Sequence, residues 1–396
     1  MKYKSPTMRK QIYELALKIF NEQLISKTKA AQKACEILKV EYDDALRRSI
    51  SDFISNNKKD VDPGIVEASE SVEVDYENVP HLWLKTKNAS LFVKNPFHNN
   101  KTIDFESVIS ECISSYQEVP KIGIPKCDTF DRLIWTDAHI GMDSYGHGIS
   151  LYSMEWNEDT LVSRIDVMVN FVLDNKSSDI LIIDELGDFM DGWNGETTRG
   201  GHKLPQNMSN QEAFDVGLKA KIRVVDALSH HYKHITCNNI CNDNHAGSFA
   251  YVVNSAFKSV VDCKFNNVLV NNYNKFISHY IMGDHCFIIT HGKDDKNLKF
   301  GFKPMLDPRT SEKISQYIRH NDLLSQSKYI EFSKGDSHQC LFDMCTSDEF
   351  DYFNFPAFSP SSQWVQTNFK KGRSGFVMQN VEMHSDRKNI KPFFFN

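Results

Sequence analysis

Nowhere in the 396 residues does an apolar run reach the length needed to cross a bilayer, and the opening Met-Lys-Tyr-Lys-Ser-Pro lacks the apolar core of a secretion signal. The expectation is a soluble chain of the cytoplasm with no membrane partner. Positive charge is not in excess either. The net charge is -6 and the isoelectric point about 6.2, which excludes a basic coat over the whole surface and leaves room only for a local basic patch. Nine cysteines are scattered without the spacing of a disulfide framework or a zinc ribbon. Cys237 with Cys241, and Cys340 with Cys345, are single wide pairs, so reduced core thiols are expected. No internal repeat is present, which excludes solenoid architectures.

What the chain does contain is 40% hydrophobic residues, enough for a substantial core, and a length beyond one ordinary domain. Residues 1–60 carry helical periodicity in three blocks. Ile12, Leu15, Ala16, Ile19 and Phe20 recur on one face of the first. Ser26 or Thr28 caps the second, where Ala30, Ala31, Ala34, Cys35 and Leu38 recur, and the third runs from Asp43 through Leu46 and Ile50 to Phe53 and Ile54. Arg9, Lys10, Lys27, Lys29, Lys33, Arg47 and Arg48 make this unit basic. That suits a helix-turn-helix that reads DNA, or a docking or dimerisation module with a solvated basic face. Residues 61–80 hold no lysine or arginine and read as an acidic linker. Residues 81–125 form a connecting segment, with a hairpin expected over His81–Val93 and a helix over Phe105–Tyr116.

In residues 126–396 strands and helices alternate. Strands are expected over Phe130–Trp135, Ile180–Leu186, Ile235–Ile240, Cys286–Thr290 and Tyr329–Phe332, with helices over Asp159–Leu173 and Gln211–Leu228. The fold class expected is α/β, a layered β-sandwich flanked by helices with a small N-terminal all-α unit. The stretch from Asp179 to Asp191 organises the rest. An apolar run, Ile180 to Ile183, ends abruptly in glycine and carboxylates, and ligands in such sheets gather beyond the carboxyl ends of the strands.

Each strand hands over to residues that can hold a cation. The first ends in Asp137-Ala138-His139, the second in Gly187-Asp188-Phe189-Met190-Asp191, and the third in Asn242-Asp243-Asn244-His245. Another ends in His291-Gly292, and the last in Gly335-Asp336-Ser337-His338. Carboxylate, imidazole and amide oxygen are the donors that first-row divalent cations accept. Any one of these turns is unremarkable as a capped turn or a surface histidine; five in succession at strand ends make a site.

The order of these motifs resembles the calcineurin-like metallophosphoesterase superfamily, whose signature runs Asp-x-His, Gly-Asp-x-x-Asp, Gly-Asn-His-Asp/Glu, His, then Gly-His-x-His. The resemblance spans about Leu133 to His338, and the first two motifs match in full. Thr197-Thr198-Arg199-Gly200 and Ser359-Pro360-Ser361-Ser362-Gln363-Trp364 are, more loosely, similar to phage-encoded members described as DNA-repair-exonuclease-like. The resemblance implies one metal held by Asp137, His139, Asp188 and His338. A second would take Asp188 as a bridge together with Asn244, His291 and Asp336. It further implies phosphoester hydrolysis by a metal-bridging hydroxide, with His245 as general acid or stabiliser of the leaving group.

Two positions depart from the family pattern. Asp336 stands where the family has a histidine, so the second site is richer in oxygen and carries one more negative charge, which favours Mn2+ over Zn2+, with Fe2+ and Mg2+ also accommodated. Ala246 stands where the family places the acid that orients the catalytic histidine, which leaves Asp191 or Asp243 to orient His245. Arg199, His202, Lys293 and Lys296 are the candidates for contact with substrate, the last two in a lysine-rich loop with Lys299 and Lys303. The function expected is a nuclease cleaving phosphodiester bonds, with nucleic acid as substrate, acting in the host cytoplasm if phage-encoded. Alternatives from the same residues are a phosphomonoesterase on nucleotides or phosphoproteins, and a noncatalytic nucleic-acid-binding or virion protein that retains the fold.

Overall fold

The computed structural model describes residues 6–23, 26–40, 42–57, 81–85, 90–94, 104–119, 127–145, 154–292, 304–362, 365 and 372–395. The chain divides into two compact units, Met1–Thr102 and Ile103–Asn396. Residues 61–80, the lysines 293, 296, 299 and 303, and residues 363–364 lie outside the described residues.

In the first unit, helices α1 (Pro6–Gln23), α2 (Lys27–Ile37) and α3 (Asp44–Asn57) bury Ile12, Ala16 and Ile19 against Ala30, Ala31, Ala34, Cys35, Leu46, Ile50 and Ile54. Small alanines at i, i+1 and i+4 on α2 let its axis come close to its neighbours, which is how so short a helix finds a core. Of the two cap candidates, Ser26 is the one used, its hydroxyl accepting from the Lys29 N–H. The expected hairpin is present as β1 (His81–Lys85) antiparallel to β2 (Ser90–Lys94).

The second unit is a layered α/β fold with two sheets. After helix α4 (Phe105–Ser115) come β3 (Thr129–Trp135), α5 (Glu158–Asp174), β4 (Ile180–Glu185), α6 (Asn210–Ser229), β5 (His234–Ile240), α7 (Ser248–Lys264) and β6 (Val268–Tyr273). The next elements are β7 (Ile277–Met282), β8 (His285–Thr290), α8 (Pro308–His320), the single turn α9 (Leu323–Gln326) and β9 (Tyr329–Lys334). Four strands close the chain, β10 (Leu341–Asp343), β11 (Asp351–Asn354), β12 (Gly375–Glu382) and β13 (Lys388–Phe394). One sheet has the order β13-β12-β3-β4-β5-β6 and the other β10-β11-β9-β8-β7. Strands β3 to β6 run parallel, as do β8, β9 and β11, so their carboxyl ends open on loops at one end of each sheet.

Strand alternation assigns the layers. In β4, Leu181 and Ile183 join the core beneath α4, α5, α6 and α7, while Ile180 and Ile182 meet Phe287 of the facing sheet. Ile134, Leu186, Ile240, Ile289, Phe353, Phe355 and Val377 continue that inter-sheet layer, and α8 covers the far side of the second sheet through Ile314 and Ile318. Arg132 shares the face of Phe130 and Ile134 and is therefore driven between the sheets. There its guanidinium meets Asp184 at 2.6 Å, Glu331 at 2.5 Å and Ser333 at 3.0 Å. Such a buried cation is tolerated only because each of its donors has a partner.

The expected strands and helices are all present, with ends moved by a few residues at most. Strands β6, β7 and β10 to β13, helices α7 and α8 and the single turn α9 are not among the expected elements. At the C-terminus Phe393 and Phe395 lie against the main core. No helix among the described residues is long and apolar enough to cross a membrane.

Candidate metal centre

The loops that follow β3 and β4 run side by side beyond the strands. Asp137 N donates to Gly187 O at 3.0 Å, His139 N to Asp188 O at 2.9 Å, and Asp191 N to Ile140 O at 3.0 Å. This continuation of the ladder aligns Asp137 and His139 with Asp188 and Asp191. The loops after β8 and β9 are joined in the same way by Gly335 N to His291 O at 3.1 Å, and Asp336 N reaches across to Asp137 Oδ2 at 3.2 Å.

Among the described residues, eight non-glycine residues have positive φ, and five of them are Asp137, His139, Asp188, Asp336 and His338, with φ between 44° and 65°. Left-handed backbone costs an ordinary side chain roughly 1–2 kcal/mol each time. Its concentration at five donor-bearing positions marks a place where strain is held by the surrounding structure for a purpose.

The donors converge. His139 Nε2 lies 3.3 Å from His338 Nε2, 3.8 Å from Asp137 Oδ1 and 4.0 Å from Asp188 Oδ2. His338 Nε2 is 3.2 Å from Asp137 Oδ1. On the other side of Asp188, His291 Nε2 is 3.0 Å from Asp188 Oδ2 and 3.7 Å from Asp336 Oδ1. Three triplets, Asp137 with His139 and His338, His139 with Asp188 and His245, and Asp137 with Asp188 and His291, each keep their donor atoms within 4.8 Å of one another. Asn244 Oδ1 and Asp336 Oδ2 are buried without a hydrogen-bond partner. Buried polar atoms are seldom left so, and here both orphaned atoms are of the kind that ligate divalent cations.

Tautomers follow from the partners. His291 Nδ1 faces Leu186 O at 3.1 Å, and since a carbonyl only accepts, Nδ1 carries the proton and Nε2 is turned to the cluster. The Asp191 carbonyl fixes His245 likewise, at 2.8 Å from Nδ1, leaving Nε2 3.7 Å from Asp188 Oδ2. The Asp191 carboxylate stands 3.2 Å from His139 Nδ1 and 3.5 Å from His245 Nδ1. Of the two acids that could orient His245, Asp191 is therefore the one in contact. Asp243 holds backbone instead, accepting from the N–H groups of Asp188, Ala246 and Gly247, and burial with the nearby charge of Asp188 pushes it up to about 7.

Burial alone would hold His139 and His291 neutral, but the carboxylates outweigh it and raise both, His291 to about 10 through Asp188 first. For Asp137 and Asp188 burial acts upward and is overcome by the imidazoles, His338 foremost for the first and His245 for the second, which hold both well below the usual carboxylate range. A cluster that draws protons this strongly is one from which a cation can displace them. The site is nearly closed, and His245 and His338 are its openings, with side chains 20% and 11% exposed.

The substrate candidates fare differently. Arg199 is half-buried, and its N–H donates to Asn244 O at 3.2 Å, so its loop is tied to the His245 turn. His202 is exposed, its backbone bonded to Thr197 and its ring against Gly200. Lys293 and Lys296 lie outside the described residues. Sequence reasoning missed the supports. The Thr136 hydroxyl donates to Asp137 Oδ2 at 2.8 Å, and Trp156 Nε1 donates to Ala138 O at 3.0 Å. Ser359 N donates to Asp137 O at 3.1 Å, and Lys221 pairs at 2.9 Å with Glu185, which in turn accepts from Gly187 N. Only Thr136, beside Asp137 in sequence, carried a local signal.

No family model matches the chain, and no curated protein matches it. Among solved structures, Vps29 from Entamoeba histolytica complexed with zinc is similar over 67% of this chain and 99% of its own, at 11% identity and a TM-score of 0.29. A conserved protein of Streptococcus pneumoniae described as a predicted phosphoesterase is similar over 67% of this chain and 98% of its own, at 8% identity and a TM-score of 0.27. A 5'-nucleotidase from Candida albicans is similar over 71% of this chain and 53% of its own, at 10% identity and a TM-score of 0.30.

Proposed function

We propose that the second unit is a metal-dependent phosphoesterase, and that its substrates are phosphodiesters of nucleic acid. The observation that carries this reading is the convergence of Asp137, His139, Asp188, His291, Asp336 and His338 around shared space, with the orphaned Asp336 Oδ2 among them. Asp137, His139, Asp188 and His338 would hold one divalent cation, and Asp188, Asn244, His291 and Asp336 a second, Asp188 serving both. Such a pair supplies Lewis acidity toward phosphoryl oxygens and lowers the pKa of water. Oxygen donors outnumber imidazoles in this set, which favours Mn2+ over Zn2+.

The chain itself supplies the proton. With no cation bound, His245 is raised above its ordinary value because Asp188, and then Asp191, outweigh its burial and the repulsion of His139. Its Nδ1–H is held by the Asp191 carbonyl, so Nε2–H, on the side of Asp188, is the proton left to pass to the departing oxygen of the ester. The basic N-terminal helices, if they bind nucleic acid, would bring such a substrate to the second unit.

The test is hydrolysis of bis-p-nitrophenyl phosphate and of the monoester after loading with Mn2+ or Zn2+, followed by cleavage of labelled single- and double-stranded DNA. His245→Ala is expected to lower kcat by about 10²–10⁴-fold on the diester. Faster turnover of the monoester would make the protein a phosphomonoesterase, and no hydrolysis with any divalent ion would leave a binding protein that keeps the fold.

A further inference from the structure

Trp135 and Trp156 are buried in the core, whereas Trp193 is 39% exposed. Among the described residues of the second unit only four Phe, Tyr or Trp side chains are this open, namely Phe105, Tyr145, Trp193 and Tyr251. Three of the four, Tyr145, Trp193 and Tyr251, follow the carboxyl ends of β3, β4 and β5, the end of the sheet at which the metal-binding loops lie.

Trp193 is the one whose place relative to the chemistry is fixed. It lies two residues beyond Asp191, whose carbonyl holds His245 Nδ1. Its ring packs edge-on against Phe249 with centroids 4.7 Å apart, and Phe249 is tied back to the His245 turn by its N–H to Ala246 O at 3.0 Å. The loop bearing Trp193 is stapled to the same turn by Thr198 N to His245 O at 2.8 Å and Arg199 N to Asn244 O at 3.2 Å. A Trp193–Glu196 bridge, with N–H to O bonds of 3.0 and 3.1 Å in the two directions, shapes the loop at the indole. The indole is therefore a flat surface, partly wet, on a loop tied to the turn that carries His245.

We propose that Trp193 is a stacking platform for a nucleobase adjoining the scissile phosphate on its leaving-group side. This rests on the phosphodiesterase reading and narrows it to substrates that carry bases. Stacking on an aromatic side chain tolerates every base, since each has a π face, and removal of such a platform typically weakens binding by several-fold to a hundredfold. Discrimination by Trp193 would thus be between base and no base, not between sequences.

The experiment compares kcat/KM of the full chain on a single-stranded thymidine oligonucleotide and on the same phosphodiester backbone with tetrahydrofuran in place of every nucleoside. The wild type is expected to favour the base-bearing strand. Trp193→Ala should reduce that preference by about tenfold, and Trp193→Phe should restore most of it. A wild type with no preference, an unchanged ratio in Trp193→Ala, or a Trp193→Phe variant that behaves like the alanine variant overturns the proposal while leaving phosphodiester hydrolysis intact. If the wild type cleaves neither strand with any divalent ion, the phosphodiesterase reading fails. The platform is then judged by anisotropy of the two labelled strands in EDTA, where equal affinity of wild type and Trp193→Ala for the thymidine strand sinks it and a selective loss sustains it.

Discussion

Gly187 offers the sharpest check on how the backbone builds the centre. It ends the apolar run of β4 with φ +98°, accepts from Asp137 N and donates to Glu185 Oε1. A Cβ placed there would stand 2.9 Å from His291 Cβ and 3.1 Å from both Cγ and Nδ1 of the same ring. We predict that Gly187→Ala pays twice, about 1–3 kcal/mol for a side chain in a sparsely allowed φ region and about 1–3 kcal/mol for pushing a packed ring aside. For a unit of this size that corresponds to a fall in Tm of roughly 5–15 °C. The displaced ring is that of a proposed ligand, so affinity for Mn2+ should weaken by about 10–100-fold, the range seen when the support of a metal-bound histidine is lost. Gly201→Ala is the control, since Gly201 has φ +61°, within the region that single non-glycine residues do visit, and nothing within 4 Å of its would-be Cβ. It should cost only about 1–2 kcal/mol and leave metal affinity alone. Thermal melts of the metal-free proteins and calorimetric titration with Mn2+ decide the matter. A Gly187→Ala protein that melts no lower than Gly201→Ala and binds Mn2+ as tightly as wild type refutes the idea that close approach of β4 to His291 sets the ligand geometry.

Asp191→Ala removes the carboxylate beside His139 and His245 but keeps the backbone carbonyl that fixes the His245 proton; kcat/KM on bis-p-nitrophenyl phosphate should fall by roughly 10–100-fold, and an unchanged value would show that the carboxylate orients nothing. Because His291 is raised to about 10, its proton stabilises the metal-free fold fully below its ordinary value near 6.5, and that stabilisation is lost as pH rises toward 10. A cation must expel the same proton, so Mn2+ affinity should rise with pH across 6 to 9 with proton release, measurable by titration in buffers of different ionisation enthalpy. Arg132→Met strands Asp184 and Glu331 between the sheets and should cost about 3–5 kcal/mol in urea unfolding. Burial raises Glu331 but Arg132, then Lys388, outweigh it and hold it below its ordinary 4.5, so its share of stability is present above that value and lost as pH falls through the depressed one. The wild-type urea midpoint should accordingly drop between pH 5 and pH 3, and a flat profile would contradict the pairing.

Most of the parallel strands were legible because their signals are local. Ile180 to Ile183 and Ile235 to Ile240 carry strand-favouring apolar residues, and the donors sit a few residues past each strand whatever the rest of the chain does. Some of what was missed was also local. Phe249, Ala250, Val253, Ala256, Phe257, Val260 and Val261 recur at helical spacing along α7, and Asp307 before Pro308 is a helix start signal for α8. Strands β12 and β13 are a different matter. Gln379 pairs with Arg132 across nearly the whole length of the second unit, and nothing near residue 379 announces that partner.

The kinds of donor and their order along the chain are properties of single residues and short windows, so they could be read without coordinates. Which atoms face one another could not. That Asp191 and not Asp243 meets His245, that five donor residues take left-handed backbone, and that Trp193 is held beside the His245 turn all follow from loops brought together at the ends of strands, within one sheet for β4 and β5 and between the two sheets for the rest. Such contacts are set by pairing between residues far apart in sequence, where packing and register override every local preference.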